Sequence, residues 1–158
     1  MAIIKFIGNN RRTLYGQVEY LKDQKKTSSE YSYGFGVNPD FATEDMRTIK
    51  LLHQQEDGRQ YKQFILSFDR QEQNELTTDK LMKIGVKVGH YYSNNYQILM
   101  TAHFDTDNLH LHYLINSVNI HTGQKFTSGR LDLHKFKLYV DEILKNYNMH
   151  LRMYSPEV

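Results

Sequence analysis

Three of the eight histidines, His103, His110 and His112, fall within ten residues of one another, with Asp105, Asp107 and Asn108 between them. From Leu109 to Ile115 polar and apolar residues alternate, the pattern of a strand with one face turned to a core. Residues two apart share a strand face, so His110 and His112 point the same way, roughly 6 to 7 Å apart along the backbone. Leu111 and Tyr113 then lie on the other side. The preceding run, Gln97 to Phe104, is apolar enough for a buried strand, and Asp105 to Asn108 is rich in turn formers that close a hairpin. Such a hairpin sets His103 across from His110. Three neutral imidazoles can then converge on a cation while part of its coordination sphere stays open, as in a catalytic site. Asp105 is placed to orient a ligand's second ring nitrogen or to accept a proton.

The elements that must position these residues follow in order. Ala2 to Ile7 reads as a strand that ends in a turn at Gly8, Asn9 and Asn10. Thr13 can cap a helix in which Leu14, Val18 and Leu21 form one apolar face and Tyr20 sits in the last turn. Tyr31 to Asn38 is an aromatic, glycine-containing stretch, read as a short strand or loop. Thr43 can cap a second helix through about Gln54, with Glu44 and Asp45 complementing its dipole. After a turn at Asp57-Gly58, Tyr61 to Asp69 is a strand. A helix then runs from Thr78 to about Tyr91, with Leu81, Ile84 and Val88 buried. The histidine hairpin ends near Asn119, and a last helix runs from about Asp132 to Tyr147. Strands separated by helices, with antiparallel neighbours at the hairpin, predict an α+β domain with helices on an antiparallel sheet of about five strands.

Length and composition set further bounds. A chain of 158 residues suits one domain with a real core. The absence of cysteine excludes disulfides, thiolate ligands and a thiol nucleophile, so nitrogen and oxygen must hold any metal. The apolar run at Met1 to Gly8 is too short for a signal peptide, and no segment approaches the length of a membrane span. A cytoplasmic protein without membrane insertion is the expectation. A formal charge of +2 permits a locally basic face. Arg11, Arg12, Lys22, Lys25, Lys26, Lys125 and Arg130 fall in or beside the segments assigned to the site, and are candidate phosphate contacts. Twelve tyrosines and eight phenylalanines offer stacking surfaces for unpaired bases.

The run His103-Phe104-Asp105-Thr106-Asp107-Asn108-Leu109-His110-Leu111-His112-Tyr113-Leu114-Ile115-Asn116-Ser117 resembles the metal motif of the relaxases, the plasmid mobilisation endonucleases of the HUH superfamily, and is most similar to their MOBP-like group. Asn119 to Lys125 is similar to the Gly-Lys turn that follows that motif, Tyr20 to Thr27 to the family's first motif, and Phe64 to Asp69 to its central strand. The resemblance implies a two-layer HUH-endonuclease-like fold, possession of a divalent cation, and cutting of one DNA strand at a transfer origin by a tyrosine that keeps the 5′ phosphate. Carried over residue by residue, Tyr20 is the nucleophile, with Tyr15, Tyr31 and Tyr33 as rivals. His103, His110 and His112 are the cation's ligands and Asp105 assists. Asn116, within the motif, joins the basic residues as a candidate DNA contact, and Ser67 is a candidate phosphate or backbone contact.

Manganese or magnesium heads the candidate ions, although imidazole suits several first-row metals. The implied partners are single-stranded or hairpin DNA of the origin and accessory relaxosome proteins. Relaxases are usually longer, so residues 1–158 read as a single catalytic domain, either excised from the N-terminal part of a longer protein or naturally short. Two other readings stand beside this one: a replication initiator or transposase of the same superfamily, and a DNA-binding module whose metal is only structural.

Overall fold

The computed structural model describes residues 1–8, 12–104 and 108–154. Five strands form one antiparallel sheet: β1 (Ile3–Ile7), β2 (Ser32–Phe35), β3 (Tyr61–Ser67), β4 (Ile98–His103) and β5 (His110–Asn116), in the order β1-β3-β5-β4-β2. The helices are α1 (Leu14–Leu21), α2 (Ala42–Leu52), α3 (Arg70–Gln73), α4 (Thr78–Ser93) and α5 (Arg130–Lys145).

Alternation along the strands sorts their side chains into two cores. Phe64, Leu66, Met100, Leu111 and Tyr113 pack with Leu81, Ile84 and Val88 of α4 and Phe136, Val140 and Leu144 of α5. Leu99 and Leu114 turn the other way, onto Leu14, Val18 and Leu21 of α1 and Ala42 and Met46 of α2. The domain therefore has three layers, where the sequence resemblance implies two. The physical reason lies in β4, buried at every position, and β5, buried at all but its first: such strands need cover on both faces. The α1 stripe supplies the second cover.

Close approach of α4 to the sheet depends on two glycines. A Cβ at Gly85 would lie 2.6 Å from Met100 Sδ, and one at Gly89 would lie 2.2 Å from the Phe35 ring. Without those side chains the helix backbone sits directly on the strands, and Tyr113 Oη donates to Gly85 O at 2.7 Å.

Local chemistry explains the boundaries. Thr13 caps α1 as expected, its Oγ1 accepting from Gly16 N at 3.1 Å. Thr43 does not cap α2. That helix starts at Ala42, directly after a 3-10 turn at Pro39–Phe41 whose own cap is Asn38, and Thr43 is buried within the first turn. Thr77 caps α4 by accepting from Lys80 N. The short α3 is absent from the sequence reading. It forms because Asp69 and Glu72 make a capping box, each side chain accepting from the other's backbone N–H.

Candidate metal centre beside the tyrosine helix

The hairpin pairs β4 and β5 in the register that sets His103 opposite His110 and Thr101 opposite His112. Along β5, His110, His112 and Leu114 share the face covered by α1 and α2, so the histidines extend the α1 core toward the sheet's end. The ring centroids are 4.1 Å apart for His103 and His112, 4.8 Å for His110 and His112, and 5.6 Å for His103 and His110. One potential ligand nitrogen from each ring lies within 4.8 Å of the others. His103 and His112 are buried and His110 is half-buried, so the cluster meets solvent at His110.

Backbone carbonyls fix two of the rings. His103 Nε2 lies 2.8 Å from Leu21 O, and His110 Nδ1 lies 2.7 Å from Asn108 O. A carbonyl can only accept, so each of these nitrogens carries the proton. The lone pairs then sit on His103 Nδ1 and His110 Nε2. The third ring meets a side chain instead: Gln63 Nε2 of β3 lies 3.0 Å from His112 Nδ1, and Gln17 Nε2 of α1 donates to Gln63 Oε1 at 2.6 Å. Three imidazoles with their outer nitrogens engaged by the surrounding chain are the donor set of a divalent first-row cation. The residues present fit such an ion.

The end of α1 that carries Tyr20 is tied to the same cluster. Leu21, whose carbonyl accepts from His103, directly follows Tyr20, and Phe104 N donates to Lys26 O at 2.9 Å, which seats the lysine segment against the end of β4. Arg12 Cζ lies 3.8 Å and Lys26 Nζ 4.9 Å from the centre of the Tyr20 ring. Both distances are those of a cation over an aromatic face.

The family model for the MobA/VirD2-like relaxase nuclease domain matches residues 19–149, which contain Tyr20 and all three histidines. This chain belongs to that family. Three Staphylococcus aureus proteins named rlx are similar to it, at 29% identity over 112 residues, 27% over 121 and 25% over 149. These matches take in 71%, 77% and 94% of this chain but 33%, 38% and 44% of the relatives, so this relaxase chain spans well under half of their length. Its fold is that of the MobM relaxase domain solved with manganese and plasmid pMV158 oriT DNA. The TM-score is 0.66 at 11% identity, over 98% of this chain and 90% of that one.

Among the described residues, Asn116, Lys125 and Arg130 lie away from the three histidines. Asp105 and Arg11 lie outside the described residues. Asn116 is fully buried at the far end of β5, its amide donating to Met46 O and Gln97 Oε1, and it accepts from Lys50 Nζ, so its polar atoms are engaged within the protein. The six residue steps from His110 to Asn116 are about 20 Å of strand. Lys125 shares that end, donating to Asp57 O at 2.7 Å and Arg59 O at 2.9 Å, so it fastens the turn in which Gly123 adopts a φ of 74°. Arg130 opens α5, whose buried face packs on the other side of the sheet from the histidines. Lys22 braces the end of α1 by donating to Pro39 O at 2.7 Å, and Lys25 is exposed.

Among the rival tyrosines, Tyr15 and Tyr33 are exposed, Tyr33 on the edge strand β2. Tyr31 packs edge-on against Phe104 at 4.9 Å. Ser67 lies opposite His110 on β3.

The sequence reading missed Gln17, Gln63 and Lys50, all nearly inaccessible. A signal existed for each. Gln17 occupies the apolar stripe of α1 between Leu14 and Leu21, Gln63 interrupts an apolar strand, and Lys50 falls four residues after Met46 on the buried side of α2.

Proposed function

We propose that this domain nicks and rejoins one DNA strand at the transfer origin of a plasmid or mobile element, through a 5′-phosphotyrosine on Tyr20. The observation that carries the reading is the placement of Tyr20 against two cations, on a helix whose last carbonyl is bonded to a histidine of the cluster. In the reaction the Tyr20 oxygen attacks phosphorus in line, the bond from phosphorus to the 3′ oxygen breaks, and that oxygen leaves as a 3′ hydroxyl after taking up a proton. The DNA keeps its energy as a phosphodiester to tyrosine, so attack by a 3′ hydroxyl reverses the step and joins the strand. Arg12 and Lys26 place positive charge where negative charge passes from the phenol to the phosphate. The role of accepting the phenol proton is assigned to Asp105 from the sequence motif alone. A divalent cation held by His103, His110 and His112 would neutralise the non-bridging phosphate oxygens; manganese and magnesium are the ions to test first. The MobM domain with which the fold is shared was solved with manganese and oriT DNA, which supports trying manganese and an origin DNA strand.

We take residues 1–158 as one catalytic domain acting in the cytoplasm on single-stranded or hairpin DNA, with accessory proteins completing the relaxosome. No helix among the described residues is long and apolar enough to cross a membrane.

Incubation with labelled single-stranded oligonucleotides from candidate origins, with and without Mn²⁺, tests the proposal. A denaturant-resistant, metal-dependent adduct that maps to Tyr20 by mass spectrometry is expected. Tyr20→Phe should lower adduct formation by about 10⁴-fold or more, as removal of a nucleophile does, with oligonucleotide binding retained, and His110→Ala should remove the metal dependence. Adduct formation that persists in Tyr20→Phe would assign the nucleophile to another residue. Binding of metal and DNA with no adduct in the wild type would leave a binding module.

A further inference from the structure

We propose that Gln63 and Gln17 are positioning residues for the metal ligand His112, and that their amide relay couples the docking of the tyrosine helix to occupancy of the metal site. The proposal rests on reading the three histidines as that site. Both glutamines stand where the element's period demands an apolar side chain, and both are buried, at 3% and 2% exposure. A primary amide inside a core is costly unless its groups are bonded. Here the two amides are bonded to each other, at 2.6 Å, and the chain they form ends on His112 Nδ1, 3.0 Å from Gln63.

The direction of this chain decides what it does. Oxygen and nitrogen of a primary amide exchange places by a half-turn, so the relay can run either way. A ring nitrogen that holds a cation must present its lone pair. Since Nδ1 faces Gln63, His112 meets the cation through Nε2 and carries its proton on Nδ1. Gln63 must then turn its oxygen to accept that proton, and its nitrogen donates to Gln17 Oε1. With the proton on His112 Nε2 instead, the relay runs in the opposite sense, the one in this structure, where Gln17 Nε2 donates to Gln63 Oε1, and the ring cannot bind metal through that atom. Metal loading therefore selects one sense. The selected sense takes the Gln17 oxygen away from Arg12 Nη1, a long contact of 3.4 Å that is easily given up.

A second connection converges on the same helix. Leu21 O, four residues on from Gln17, accepts from His103 Nε2. Two ligands thus lean on α1 at positions that flank Tyr20, one through a backbone carbonyl and one through two amides. Closing these rings around a cation fixes α1, and an ordered α1 presents the rings. Binding linked to order in this way is reciprocal.

The test measures Mn²⁺ affinity of the whole chain by the electron paramagnetic resonance of free Mn²⁺, together with hydrogen exchange of the α1 amides with and without the ion. Wild type should bind Mn²⁺ and gain protection in α1. Gln63→Leu should weaken binding about 10- to 100-fold, the usual effect of removing the outer partner of a ligand histidine, and abolish the Mn²⁺-induced protection. Gln63→Glu keeps an acceptor for Nδ1–H and should bind at least as tightly as wild type. Gln17→Leu should lose most of the protection with a smaller loss of affinity. Wild-type affinity and protection in both Gln63→Leu and Gln17→Leu would overturn the relay while leaving the metal site standing. If Gln63→Leu does not fold, Gln63→Glu decides, and weaker binding by that variant overturns the proposal. A wild type that binds no Mn²⁺ overturns the metal reading and the relay with it.

Discussion

The two faces of the sheet are built from the same strands by opposite means. On the α4 and α5 side, Phe64 stacks on Tyr113 with ring centres 4.4 Å apart, and Phe136 meets Phe64, Tyr91 and Tyr92 at 4.9 to 5.1 Å. On the α1 and α2 side, a small apolar cluster is surrounded by buried His103, His112, Gln17, Gln63, Thr101, Asn116 and Lys50. One residue of strand separates the two regimes. Aromatic packing needs only shape and exclusion of water, whereas each buried polar group needs a partner of defined direction. The first face can therefore supply stability without regard to chemistry, and the second can hold chemistry because the first keeps the sheet rigid beneath it.

The largest effect should come from damaging the aromatic face. Phe136→Ala removes a fully buried ring and should cost about 3 to 5 kcal/mol in urea unfolding. The Mn²⁺ affinity of the folded protein should not change. A parallel loss of affinity would show that the faces are not separable.

An intermediate effect is expected at the polar face's far end, where Lys50 Nζ donates to Gln60 O, Asn116 Oδ1 and Ser117 Oγ. Lys50→Met strands these acceptors and should destabilise by about 1 to 3 kcal/mol, again with metal binding intact. The same lysine makes a pH signature. Burial, with the charge of Lys125 adding to it, lowers its pKa to about 7, below the ~10.4 of an unfolded lysine. Between those values the unfolded chain holds a proton that the folded chain lacks, so stability rises with pH through the window and the penalty is greatest below pH 7. Unfolding free energies at pH 7, 8 and 9 should increase in wild type, and the slope should flatten in Lys50→Met.

The smallest effect sharpens the comparison at the site's rim. Arg12→Ala removes one cation from the Tyr20 ring and should cost about 0.5 to 1 kcal/mol of stability at most. It should also reduce the salt dependence of single-strand binding by about 0.7 in the log–log slope if Arg12 contacts one phosphate. An unchanged slope would confine Arg12 to holding the ring.

Some of this was legible without coordinates. The period of two from Leu109 to Ile115 places His110 and His112 on one face whatever the strand packs against, and the turn formers after Phe104 leave little choice but a hairpin that faces His103 with His110. Thr13 as the cap of α1 and the apolar stripe behind it were equally local. These features depend on residues within a few positions of one another, and short-range sterics decide them.

What crosses the chain could not be read that way. Asn116 and Lys125 belong to the same run of sequence as the histidines, yet extension of β5 carries them to the opposite end of the sheet, where they serve packing and a turn. Conversely, Gln17 and Gln63 are 46 residues apart, and Leu21 and His103 are 82 apart. Periodicity states which face of an element is buried but not which partner covers it, and the partner is settled by packing the whole chain at once. Local patterning is enough to put three imidazoles on one side of a hairpin. That the helix carrying Tyr20 lies over them and holds two of them from behind follows from packing between distant parts of the chain.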